Sequence, residues 1–551
     1  MHDYIIAVDV GTGSARAGLF DLSGVQIARD VAPISLTQPR ERHLEQDSEE
    51  IWASVCRTVR SVVDKAGIAP DAVRAIGFDA TCSLVVRDRQ GKPLSISTTG
   101  RANLDTLLWM DHRAVDQAER CNATGDPLLD RYGGRLSAEM QVPKLLWLKE
   151  EMPDTWERAG FMFDLSDYLT WRATGLTRRG HSPLASKWGF GPQAPGEAPS
   201  DFYALVGLDD VVERAALPER TLAATEAVGN LSAEAAGQLG LTTGCRVAPG
   251  LIDAYAGTIA LFSLPEVLSK DRLETHLALI AGTSSCVVQL TRQSVQAEGC
   301  WGAFRDVAIA GLWLTEAGQS ASGALLDHIL QTHPAGGDPS RARHAQILDH
   351  IAERIAAEGP GYGLPIHVLP DFHGTRSPTT DPGLTGSLTG MTLDRSFGSL
   401  CRLYWRTCVA LACGIRHIIA HMPGEPGRVA TLAIAGGFSN HPLIPQLYAD
   451  AIGCTVLTPV DQDAVLLGTA QHAAVTAGLF ADMAAAGSAM TIRMRSTAPN
   501  PARRNFYERD YAALMTMMRH RAELALLQDH DSLGRRRDRL TGVARPATRT
   551  T

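Results

Sequence analysis

The chain has 551 residues, length for about three to four domains of ordinary size or two large ones. Hydrophobic residues make up 45% and charged residues 20%, which excludes a largely disordered chain, a collagen-like fibre and a coiled-coil rod. The net charge of −8 speaks against a nucleic-acid partner, which needs a basic face.

The first apolar run, 4–10, reads as a buried strand carrying Asp9 near its end. Gly11-Thr12-Gly13-Ser14 is a turn, and strands at 15–21 and 25–29 complete an opening β-meander. Asp47 caps a predicted helix over 48–66, where Ile51, Val55, Val59 and Val62 recur at helical spacing. Strands follow at 73–78 and 82–87, and helices near 111–124, 144–151 and 154–159. A Pro/Gly-rich loop covers 192–200. A strand over 247–252 leads to Asp253 at the start of an Ala/Gly-rich helix. Near 276 the opening pattern returns: strand 276–281, turn Gly282-Thr283-Ser284-Ser285, strand 286–290. Later come a strand at 431–435, a tight turn at Gly436-Gly437-Phe438-Ser439-Asn440 and a helix at 442–451. Tyr507, Tyr511, Leu514 and Met518 mark the apolar face of a last helix. From 531 on, six Arg and two Asp among few large apolar residues predict a disordered basic tail.

A strand, a Gly-Thr hairpin and a strand thus occur twice, about 270 residues apart. This predicts two related α/β domains, 1–265 and 266–480, followed by a helical extension over 481–530 and the tail 531–551. The N-terminus has no basic start followed by a long apolar stretch, and no apolar run nears the roughly 18 residues of a membrane span. The ten Cys are scattered, with no Cys-x-x-Cys pair and no zinc spacing. A reduced, cytoplasmic protein without a membrane partner is expected, its thiols packed as small hydrophobes.

Phosphates need donors at close approach. Glycines admit them to backbone N–H groups, and Thr and Ser hydroxyls add more donors. Gly11, Thr12, Gly13, Ser14 and Arg16 suit that task, and Asp9 at the strand end can hold Mg²⁺ directly or through water. A strand follows the turn, so this is not a Walker A loop, and a plain hairpin remains an alternative. The second hairpin, Gly282, Thr283 and Ser284, strengthens the nucleotide reading, since two such turns facing across a cleft can clamp a triphosphate. Gly436 and Gly437 let the chain approach a flat ring, and Ser439 and Asn440 can bond a nucleoside, although a Ser-capped turn would look the same.

Together the two hairpins, the Gly-Gly-x-Ser-Asn turn and Leu251-Ile252-Asp253-Ala254 resemble the FGGY carbohydrate kinases, over about residues 3–528. The resemblance implies two ribonuclease H-like α/β domains of the sugar kinase, heat-shock 70 and actin superfamily, with ATP and sugar in the interdomain cleft. It places the catalytic base at Asp253, which position alone would read as a helix cap. It also implies ATP with Mg²⁺, the metal near Asp9 and Asp253. A homodimer is one assembly it allows.

Phe78-Asp79-Ala80-Thr81-Cys82-Ser83-Leu84-Val85 stands where xylulose kinases carry Gly-Gln-Met-His-Gly and glycerol kinases Asn-Gln-Arg-Glu. This version looks like the D-ribulose kinase branch. So do the stretches 109–114, 186–188, 316–320 and 370–378. The implied sugar contacts are Asp79, Thr81, Trp109, Asp111, Lys187, Asp253 and Glu316. The implied reaction is transfer of a phosphoryl group from ATP to the 5-hydroxyl of D-ribulose. Other pentuloses or polyols, such as L-ribulose or ribitol, are the nearest alternatives, and a non-catalytic sensor on the same scaffold is a further one.

Overall fold

In this computed structural model, residues 3–269, 272–424 and 429–540 are described, with side chains as far as 527. Strands β1 (Tyr4–Val10), β2 (Ser14–Asp21) and β3 (Gln26–Pro33) form the opening meander. Strand β4 (Val73–Ala80) lies parallel to β1 on its other side. The first sheet runs β5-β6-β4-β1-β2-β3, where β5 is Gly229–Asn230 and β6 is Arg246–Val247, with β7 (Leu251–Ile252) also pairing β4.

The second sheet repeats this order. Strands β8 (His276–Ala281) and β9 (Ser285–Thr291) form the hairpin, and β10 (Trp301–Arg305) and β11 (Trp313–Gln319) extend it. Strands β12 (Thr431–Ala435), β13 (Thr455–Pro459) and β14 (Met494–Thr497) complete the sheet β10-β11-β9-β8-β12-β13-β14. As β1 pairs antiparallel with β2 and parallel with β4, so β8 pairs antiparallel with β9 and parallel with β12. Two halves opening with the same hairpin, as the repeat predicted, are therefore present.

Both opening strands are near-continuously apolar because both of their faces are buried. Ile6, Val8 and Val10 pack against α1 (Ser48–Ala66), whose Ile51, Val55, Val59 and Val62 form the stripe read from the sequence. Asp47 caps α1 by accepting from the amides of Glu49 and Glu50. The alternate residues Ile5 and Ala7 face a second core, shared with helix α2 (Asp253–Phe262).

The halves exchange helices. Helix α2 ends the first half, yet its Gly257 sits against Ile280 of β8. Helix α4 (Ala464–Thr476) belongs to the second half, yet Leu466 and Thr469 lie against Gly18 and Gly77 of the first sheet. The two helices pack together so closely that a Cβ at Gly468 would stand 1.8 Å from the Ala256 carbonyl oxygen. Helix α3 (Phe397–Ile419) forms the centre of the second half's own core.

Several boundaries differ from expectation. The strand 247–252 is broken, since Pro249 has no N–H to donate and Gly250 is pressed onto Ser166. The helix near 111–124 begins only at Val115, because Asp111 and Arg113 are engaged with each other. The stretch 481–530 is not wholly helical, as its β14 pairs with β13. Helix α5 (Arg504–Leu540) runs into the expected tail, which follows from propagation of an existing helix needing no new nucleus. Residues 541–551 of that tail lie outside the described residues. All ten Cys are free, eight of them buried, and Cys56 and Cys286 are partly so. Among the described residues no helix is long and apolar enough to cross a membrane.

The helix crossing sets a stability contrast. Gly468→Ala should force α2 and α4 apart, a form of overpacking that costs about 1–3 kcal/mol. Gly237→Ala, in a helix where an added Cβ meets nothing within 4 Å, should gain roughly 0.5–1 kcal/mol. Differential scanning calorimetry should show the melting temperature lowered by the first change and raised by the second, at about 2–4 °C per kcal/mol.

Candidate active site

Strand register gathers the acidic residues. Asp9 of β1 pairs with Asp79 of β4, and Leu251 pairs with Asp79 on the other side, so Asp253 leaves the sheet one residue beyond. Asp9 is buried and forms an ion pair with Arg16, its partner across the hairpin. Arg16 also donates to Asp463 at 3.0 Å. Asp463 caps α4 and pairs with Arg29 as well. Arg16 is thus committed to carboxylates, not left free for a phosphate.

Asp79 is wholly buried and accepts from Thr469 of α4. Burial holds its carboxyl well above the usual range, and Asp253 adds to the effect. Thr81 lies beside Ser83 at 3.2 Å. Asp79 is therefore a contact between the halves, whereas sequence reasoning had it on the sugar.

Asp253 accepts from the Ala254 amide at 2.7 Å. Burial pushes its carboxyl up to about 6; the Ala254 bond opposes this, Glu316 reinforces it, and Arg16 and Lys187 oppose it. Glu316 of β11 accepts from the Tyr255 hydroxyl at 2.8 Å and stands 3.7 Å from Lys187 Nζ. Burial pulls the Lys187 ammonium down, but Glu316, with smaller help from Cys82 and Cys286, leaves Lys187 above its ordinary value. The Lys187 Nζ also sits 4.3 Å from the ring centroid of Trp301, a cation–π distance. Asp253, Lys187 and Glu316 thus come together as expected.

Trp109 links this cluster to the first hairpin by donating from Nε1 to the Thr12 hydroxyl at 3.1 Å. Asp111 does not join them. A buried carboxylate needs partners, and Asp111 takes them from Arg113 and from the Leu44 amide at 2.6 Å. Four groups were missed. Arg376 pairs with Glu139 at 2.9 Å and lies over the rings of both Trp109 and Trp301. Arg376 stands in a stretch that carried the resemblance, and Tyr255 follows Asp253 by two residues. Trp301 and Glu139 gave no pattern to read. His112 and His373 stack at 4.4 Å beside Glu139.

The hairpins fit a polyphosphate. A Cβ at Gly13 would meet nothing within 4 Å, and at Gly11 or Gly282 only one atom at 3.8–3.9 Å. Space therefore remains above the backbone at each turn. The Gly282 and Thr283 carbonyls are taken up by Ser322, Gly323 and Ala324, which fixes the second turn, with Thr283 exposed and Ser284 partly so. Gly436 has φ 119°, and a Cβ there would fall 1.9 Å from the Ala281 oxygen, so the Gly436 turn abuts the second hairpin. Gly437 is open above, and Asn440 is exposed. The Ser439 hydroxyl instead closes the turn by donating to the Gly436 carbonyl at 2.8 Å. Among the described residues no group of three or more His, Cys, Asp or Glu could hold a metal ion. Mg²⁺ binds through one or two carboxylates, waters and substrate phosphates rather than a protein cage. The Asp9 carboxylate, held by Arg16 beside the first turn, is the group there that a Mg²⁺ would share.

Known proteins bear this out at the level of family. Residues 4–260 match the N-terminal domain of the FGGY family of carbohydrate kinases, and residues 277–477 its C-terminal domain. A human FGGY carbohydrate kinase domain-containing protein is 37% identical over 544 residues, covering 96% of this chain and 98% of its own. A D-ribulokinase of Saccharomyces cerevisiae is 35% identical over 509 residues, covering 85% of this chain and 71% of its own. A ligand-bound xylulose kinase of Lactobacillus acidophilus superposes with a TM-score of 0.77 at 19% identity, over 94% of this chain and 98% of its own. Two sheets with the same opening hairpin, the acidic residues their register gathers and these matches lead to one conclusion: the chain belongs to the FGGY family of carbohydrate kinases.

Proposed function

We propose that this sugar kinase acts on D-ribulose, moving the γ-phosphoryl group of ATP to the 5-hydroxyl to give D-ribulose 5-phosphate and ADP. The observation that carries the reaction is Asp253, a partly buried carboxylate within electrostatic reach of the first hairpin's Arg16 and of the Lys187–Glu316 pair. It accepts the proton of the attacking hydroxyl as the O–P bond forms. Lys187 donates to a sugar oxygen, and Glu316 accepts from a sugar hydroxyl. Thr12, Gly13, Ser14, Thr283 and Ser284 cradle the phosphates, and Gly437 and Asn440 lie along the adenosine. Asp9 would hold Mg²⁺, which supplies charge neutralisation at the phosphates when bound. The substrate choice is supported by the similarity to the yeast D-ribulokinase. It is also supported by charge: Lys187 faces Glu316 and Arg376 faces Glu139. With both cations already countered, the cleft favours a neutral polyol over a sugar acid.

An ADP-release assay tests the substrate. D-ribulose should give the highest kcat/KM among D-ribulose, L-ribulose, both xyluloses, ribitol, glycerol and a pentonate, with the pentonate poorest. A clear preference for another member would replace the substrate and keep the kinase.

Asp253→Asn tests the base. It keeps the size and a capping ability, so kcat should fall by about 10²–10⁴ while sugar and ATP binding change far less. A variant retaining more than about a third of wild-type kcat would remove the role, as it far exceeds the general-base expectation.

The pH dependence has a definite sign. The base works when ionised, and the folded carboxyl sits at about 6, so wild-type kcat should fall as pH drops through that value. Stability runs the other way. A carboxyl raised in the folded state favours the fold below its unfolded pKa, and that advantage is lost as pH rises toward about 6. Asp253→Asn should therefore be more stable than wild type at pH 8, by the order of 2–3 kcal/mol. Urea titrations should show the gap closing below about pH 4.

A further inference from the structure

The family match ends at residue 477, yet α5 beyond it is built into the second half. Arg406 of α3 forms a buried ion pair with Asp510, and Arg416 pairs with Glu508 at 2.8 Å. Tyr507 and Leu514 enter that half's core. About two turns past Leu514 on the same helix stands Arg521. It donates to Asp371 at 2.5 Å and to the Thr385 carbonyl at 3.1 Å. Both side chains are mostly buried, at 14% and 19% exposure, so the pair is shielded from the screening that weakens surface ion pairs.

Asp371 opens the loop that carries His373 and Arg376. The loop is tied within itself, Thr375 pairing with Asp381 and the Thr380 hydroxyl donating to the Arg376 carbonyl at 3.0 Å. On the site's side, the Gly318 amide of β11 donates to the Ser377 hydroxyl at 3.3 Å. From this frame Arg376 crosses to Glu139 of the first half. Its guanidinium lies 5.8 Å from the Trp109 ring and 5.2 Å from the Trp301 ring, and it donates to Cys286 Sγ at 3.6 Å. Cys286 in turn donates to Glu316. Arg376 is therefore a strut across the cleft at the Lys187–Glu316 end, and the fixed point behind its loop is the Arg521–Asp371 pair.

We propose that Arg521 is a positioning residue for the sugar: through Asp371 it sets the loop 370–381, and so the reach of Arg376 across the cleft. The proposal rests on the reading above that this end of the cleft holds the sugar. A helix outside the family's matched segment thereby takes part in substrate affinity without touching the substrate.

The test is steady-state kinetics on the full chain with D-ribulose and ATP varied separately. Misplacing a binding group by a fraction of an ångström weakens substrate binding, so Arg521→Ala should raise the sugar KM about threefold to tenfold. The ATP KM should stay within about twofold, because the phosphate hairpins lie elsewhere. Arg521→Lys, which can still pair with Asp371, should recover most of the sugar KM. Arg376→Ala should raise the sugar KM at least as much, and adding Arg521→Ala to it should bring no further rise, since both act through one strut. Asp371→Asn should reproduce the Arg521→Ala effect and serves in its place should that variant not fold. A sugar KM moved by Arg376→Ala but untouched by Arg521→Ala and Asp371→Asn would overturn the proposal and leave the sugar site standing. So would full additivity of the two arginine changes, or a loss confined to the melting temperature. A sugar KM unmoved by Arg376→Ala would overturn both readings together.

Discussion

The crossing of α2 and α4 is the constraint on which the rest depends. Each helix is made by one half and seated on the sheet of the other, and Gly468 lets them meet at backbone distance. Asp253 is the first residue of α2, and Asp463 caps α4. The proposed proton acceptor and the partner of the first hairpin's Arg16 are thus fixed to the two elements that join the halves.

The second organising feature is electrostatic. Asp9 and Asp79 stand side by side and are withdrawn from water, with Asp253, partly buried, one residue past the next strand. Buried carboxylates are expensive unless paired. The chain meets this in three ways: an ion pair at Asp9, a hydroxyl from the opposite half at Asp79, and an elevated proton affinity at Asp253. The last is what a proton acceptor working near neutral pH needs, since a carboxylate of ordinary basicity holds a transferred proton weakly.

Much of this was legible in the sequence, and the reason is local. Strand Tyr4–Val10 and helix Ser48–Ala66 emerged with their bounds because apolar runs and an Asp cap are short-range signals. The duplicated hairpin disclosed two related halves. The fate of single charges was not legible. Asp111 looked like a sugar ligand until Arg113 and the Leu44 amide enclosed it, and Asp79 until Thr469, 390 positions away, was found against it. Glu139 and Trp301 escaped notice because their meaning lies wholly in partners from distant strands and loops. Ser439 carried a plausible donor whose use is decided by the turn's own carbonyl. Sequence patterns report which face of an element is buried; they do not report which polar group meets which across a cleft.

The buried sulfurs bear on how the molecule can be watched. Burial raises every one of the ten thiols above its ordinary value, and the thiolate is the form that reacts. Native cysteines are therefore slow toward maleimides and iodoacetamides at neutral pH. A pair of cysteines introduced on the outer surfaces of the two halves would take up fluorophores ahead of them. Energy transfer between those dyes would then report any change in the distance between the halves during turnover, in a chain that keeps all of its natural residues inside.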